Sequence, residues 1–149
     1  QPEFMDALAG VLIERGESEA AQPWIAKARQ RYDERLATLP EASYGHGLDH
    51  FLQHASAAEA LDLARRNHAL RPNPEAKMAL AEALLKADEP KPALPLLRAA
   101  LASGWNTAAL HAMAARVFAA NGLVEEAVSE KQQALALNPR AARQYGLPE

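Results

Sequence analysis

The stretch Asn121–Pro139, NGLVEEAVSEKQQALALNP, decides the fold. Asn121-Gly122 stops one helix, because glycine takes the left-handed cap conformation without a Cβ penalty. Leu123, Ala127, Val128, Ala134, Leu135 and Leu137 then form an apolar stripe at helical spacing. Asn138-Pro139 ends the stripe, since the residue before a proline is pushed out of the α region. The stretch reads as the turn and second helix of a helical hairpin, and its pattern recurs along the chain.

Working outward, Asn106 or Thr107 caps the first helix of that hairpin (106–139), whose stripe is Leu110, Ala114, Val117 and Phe118. The hairpin before it (74–105) opens on Asn73-Pro74, asparagine as N-cap and proline at the first helical position. Leu80, Ala81, Leu84 and Leu85 line its first helix. Pro90 and Pro92 fit a first turn, and Pro95 is expected to delay the regular second helix. In the hairpin at 41–73, a helix is expected over about Ser43–His54. Its start is weakened by Gly45 and Gly47, each costing about 1 kcal/mol against alanine. Ser56-Ala-Ala-Glu59 then reads as a capping box.

The first hairpin (5–38) carries Met5, Leu8, Ala9 and Leu12 on one face, with Gly16 as the stop and Ser18 as the expected N-cap of the next helix. Pro23 should bend that helix or delay its start. Residues 36–46 read as an irregular connection. Gln1-Pro2-Glu3-Phe4 reads as a cloning scar outside the fold, so the natural segment begins at Met5 or is cut from something longer. Residues 139–145 read as a short closing helix covering the exposed edge of the last hairpin.

Aligned on one alanine near each turn, Ala21, Ala60, Ala93 and Ala127, the hairpins fall 39, 33 and 34 residues apart. Pro72, Trp105 and Pro139 close them at spacings of 33 and 34. A helix–turn–helix period of this length resembles the tetratricopeptide repeat. The fourth repeat matches that family's pattern with Ala114-Ala115, Phe118, Gly122, Ala127, Ala134 and Pro139. The third offers Leu80-Ala81, Leu84, Ala93, Leu97 and Ala100, with Asp88 in place of the turn glycine. The second gives Phe51, Ala60 and Pro72; the first gives Leu8-Ala9, Leu12, Gly16, Ala21, Ile25 and Ala28. Departures are Gly47 and Ala64 where bulk is usual, Lys131 at a usually large position, and about five extra residues at 36–40. The resemblance implies an all-α, right-handed superhelix of three to four hairpins, residues 5–149, with a short C-terminal capping helix. The competing reading is an irregular α-helical bundle.

Composition narrows the function. A net charge of −3 gives no electrostatic case for nucleic acid. The absence of cysteine removes disulfides, thiolate zinc sites and cysteine nucleophiles. No apolar run approaches the roughly 20 residues that span a bilayer. A cytoplasmic protein is expected, or a periplasmic one if a signal peptide has been removed. Excess arginine over lysine and abundant alanine point to a GC-rich bacterial source.

The family resemblance implies binding through the first helix of each hairpin, on the inner surface. Carried onto this chain, that gives Asp49, with His46 beside it, then Glu75, Met78, Glu82 and Lys86, then Met113 and Arg116. Charged groups beside two adaptable methionines suit an extended peptide or an amphipathic helix. The alternative is plain solvated surface, with Glu82 and Lys86 as an i, i+4 pair. The lysine/asparagine set that clamps a chaperone's C-terminal carboxylate in some members is absent.

His46, His50 and His54 share one helical face at i, i+4, i+8, and such imidazoles can hold zinc or nickel. Against this stand the helix-weakening glycines, the lack of an HExxH glutamate, and the place of His54 at the turn. No metal or other cofactor is expected: His50 should pack between helices, and His46 and His54 should be wet. His68 and His111 read as surface or half-buried positions. No phosphate-binding loop or nucleophile elbow occurs. The reading is a non-enzymatic interaction scaffold for a protein or peptide. A His-dependent metal-binding accessory domain and a self-associating regulatory segment of a larger protein are the alternatives.

Overall fold

A computed structural model describes residues 1–148. They form nine helices and no strand. In order these are α1 (Pro2–Glu14), α2 (Ser18–Thr38), α3 (Pro40–His54), α4 (Ala57–Leu70), α5 (Pro74–Lys86), α6 (Pro90–Ala102), α7 (Ala108–Ala120), α8 (Val124–Leu137) and α9 (Ala141–Gln144). The chain divides into two compact units, the first being Gln1–Leu63, with the division falling within the sequence of α4. In the first unit, α2 packs against α1 and α3. In the second, α5 packs on α6 and α7, α7 on α6 and α8, and α9 on α7 and α8.

One turn geometry joins three of the hairpins. The amide of Gly16 donates to the Ile13 carbonyl and that of Glu17 to Leu12. Asp88 and Glu89 repeat this with Leu85 and Leu84, and Gly122 and Leu123 with Ala119 and Phe118. This pair of bonds requires a left-handed residue after the helix. Gly16 and Gly122 supply it at φ +79° and +76°, and Asp88 supplies it at +59° despite its Cβ. Asn121 strengthens the last turn, donating from Nδ2 to the carbonyls of Val117 and Pro90.

Small residues then set the helix spacing. Ala21, Ala60, Ala93 and Ala127 are each the fourth residue of a second helix, and all are buried. Seven residues on, Ala28, Asn67, Ala100 and Ala134 are buried too. Alanine contributes no side-chain entropy cost and lets backbones approach closely. Larger side chains fill what remains, with Leu97, Leu110 and Val117 fully enclosed. At the C-terminal end, Ala141 and Leu147 join Ala112, Ala115 and Ala134 in one apolar cluster, against which Tyr145 packs.

Several boundaries differ from those expected. Helix α1 begins at Pro2 and so takes in part of the stretch set aside as a cloning scar; Pro2 is buried, and Glu3 pairs with Arg35 of α2 at 2.6 Å. The irregular connection at 36–46 is absent, since α2 ends at Thr38 and α3 starts at Pro40. Gly45 and Gly47 therefore lie within α3, Gly45 exposed and Gly47 buried. Ser18 is not a cap: the turn at Gly16-Glu17 leads straight into α2, with Glu17 at the N-cap. Neither Pro23 nor Pro95 delays its helix, and each is the sixth residue of a continuous one. Both are exposed, so water can satisfy the carbonyl that each leaves without an amide partner.

Other local readings have direct geometry. The Ser56 hydroxyl accepts from the Glu59 amide, and the Glu59 carboxylate accepts from the Ser56 amide at 3.1 Å. The Asn73 side chain accepts from the Ala76 amide at 2.8 Å, and Thr107, not Asn106, accepts from Leu110.

Candidate functional site

Within the second unit, α5, α7 and the C-terminal segment enclose a groove of about 310 Å³. Its lining is Met78 and Glu82 from α5, Ala109, Met113 and Arg116 from α7, and Gln144 with Tyr145. Four of the residues singled out from sequence, Met78, Glu82, Met113 and Arg116, thus meet in one place. They do so because i, i+3 and i+4 positions share a helix face and because α5 packs on α7. The Glu82 carboxylate faces the Arg116 guanidinium at 3.8 Å, across the two helices. Glu75 and Lys86 are exposed and lie outside the lining. Asp49 is exposed on α3 of the first unit.

The two methionines differ in role. Met113 is only 7% exposed and serves chiefly as the groove floor. Met78 is half-buried and is the methionine open to a ligand. Gln144 and Tyr145 were not legible as wall residues, because they reach the groove through the packing of Ala141 and Leu147 rather than through a repeat position.

Two of the three α3 histidines stand as expected, His46 in water and His50 packed between helices, and His54 does not. His46 is exposed. His50 is 2% exposed and its Nδ1 lies 2.7 Å from Oδ1 of Asp6 on α1. His54 is half-buried one turn along, its ring centroid 5.1 Å from that of His50. Asp6, His50 and His54 each offer one ligand atom, all within 4.8 Å of one another. The Tyr32 hydroxyl, itself buried, hydrogen-bonds Asp6; burial first, then the Asp6 charge and this bond, push its pKa above the ordinary phenol value. No sequence signal points to Asp6, which stands 44 residues from His50 on another helix.

His111 is half-buried, as expected, and its ring is engaged on both nitrogens. Its Nδ1 meets the Glu130 carboxylate and its Nε2 lies 2.7 Å from Oδ1 of Asn106. These bonds tie the start of α7 to α8.

No helix among the described residues is long and apolar enough to cross a membrane. No protein-family model and no curated protein matches the chain.

Proposed function

We propose that the chain is a tetratricopeptide-like array of three to four hairpins that acts as a non-enzymatic scaffold. Its ligand is a short extended peptide of another protein, held in the groove between α5 and α7. The observation that carries this reading is the convergence of Met78, Glu82, Met113, Arg116 and Tyr145 on one cavity of about 310 Å³. Supporting the family are the turn at Gly16, Asp88 and Gly122 and the buried alanine at the fourth position of each second helix.

The chemistry defines the ligand. Met78 and the Tyr145 ring offer apolar contact that adapts to shape. Arg116 offers a guanidinium to a carboxylate, and Glu82 offers an acceptor to a backbone amide or a lysine. A peptide carrying one large apolar side chain next to an acidic residue fits this set.

Selection of peptides from a displayed random library against the full chain tests the reading, with Met78→Asp/Arg116→Glu as the counter-target. The expected result is a family of peptides with that apolar–acidic pattern, bound by the natural chain and lost on the double variant. Peptides that bind both equally place the site elsewhere. Met113 is unsuitable for this purpose, since an aspartate there would bury an unpaired charge and test folding instead.

A further inference from the structure

We propose that Asp6, His50 and His54 hold a divalent zinc ion that clasps α1 to α3. This is a site distinct from the peptide groove and independent of it.

The donor set is the first argument. Two imidazoles one turn apart on α3 and a carboxylate from α1 place their ligand atoms within 4.8 Å of one another. Two nitrogens and one carboxylate oxygen suit zinc, which takes three protein ligands and water at open sites. The required adjustment is small. Ligands at about 2.0–2.1 Å from a tetrahedral zinc stand roughly 3.3 Å apart. Asp6 Oδ1 and His50 Nδ1 are 2.7 Å apart, the spacing of a shared proton. Replacing that proton by the metal parts them by about half an ångström, while His54 moves inward by side-chain rotation.

The surroundings are the second argument. His50 is enclosed by the rings of Tyr32, Phe51 and His54, so its imidazole is held in one orientation. Asp6 is oriented by the Tyr32 hydroxyl, the kind of outer partner that fixes a ligating carboxylate. Glu3 and Arg35, also facing Tyr32, pair with each other at 2.6 Å and so present little net charge. The clasp joins positions 44 residues apart, where a cross-link most reduces the freedom of the unfolded chain.

The test is calorimetric titration of zinc into the full chain, with circular dichroism to verify helicity. One equivalent per chain is expected to bind. Asp6→Asn and His54→Ala should each weaken it at least about tenfold, and Tyr32→Phe should weaken it by roughly tenfold through the carboxylate it orients. His46→Ala should leave it unchanged. On the unsubstituted chain, zinc should shift the ring-nitrogen resonances of His50 and His54 and leave those of His46, His68 and His111 in place. This readout stands even if a variant misfolds. Absence of uptake, uptake that survives Asp6→Asn or His54→Ala, or shifts centred on His46 would each overturn the proposal.

Discussion

Glu82 of α5 and Arg116 of α7 face each other at 3.8 Å, so the two helices that line the groove present opposite charges to its interior. Both side chains remain partly in water, and such a pair contributes no more than about 1 kcal/mol to stability. Arg116→Ala should therefore lower the unfolding free energy by less than about 1 kcal/mol in urea titration. Its effect on peptide affinity should be larger, because a charge-assisted contact to a carboxylate is worth about 1.5–3 kcal/mol.

Asp88 holds a left-handed conformation, φ +59°, where Gly16 and Gly122 occupy the matching turns. A side chain there costs about 1–2 kcal/mol, partly offset by the entropy that glycine loses on folding. Asp88→Gly should stabilise the chain by about 0.5–1 kcal/mol. Gly122→Ala should destabilise it by a similar amount. Thermal melting of the two variants side by side checks both signs.

Helical glycines with room for a methyl group predict the opposite response. Nothing lies within 4 Å of a Cβ built on Gly10, and one built on Gly47 would meet Tyr32 at an ordinary 3.5 Å. Each alanine substitution should add about 0.5–1 kcal/mol in chemical denaturation, through helix propensity and a less disordered unfolded state.

Glu59 accepts from Arg29 at 2.7 Å and from both the amide and the hydroxyl of Ser56. The Arg29 bond first, then those from Ser56, bring its pKa from 4.5 down to about 2. A carboxylate depressed on folding adds stability above its unfolded pKa, and the gain is lost as pH falls. The loss should run from about 4.5 to about 2. A carboxyl-detected NMR titration should place the Glu59 midpoint near 2, and Arg29→Ala should move it upward. Glu59→Gln should flatten the pH dependence of stability across that window.

Local chemistry was legible at the turns and at two of the caps, though not at Ser18 or Pro95. Gly16 and Gly122 mark turns by themselves, and the repeat alignment extends the same role to Asp88. The Ser56–Glu59 box and the Asn73 cap are decided within four residues, so spacing alone predicts them. The start of α3 was not readable from Gly45 and Gly47, since the helix begins at Pro40 and runs through both. The site divides in the same way. Met78, Glu82, Met113 and Arg116 come from carrying the family resemblance onto this chain, and their i, i+3 and i+4 spacing puts each helix's pair on one face. Tyr145 and Asp6 reach their sites through contacts between elements, which no spacing encodes.

The central claim is that the groove between α5 and α7 is the binding surface. The most direct measurement is amide chemical-shift mapping of the full chain on adding the tightest library-selected peptide. The claim predicts that perturbations concentrate at Met78, Glu82, Ala109, Arg116 and Tyr145, and vanish in Met78→Asp/Arg116→Glu. Perturbations centred on other helices, or a pattern unchanged in that variant, would contradict it.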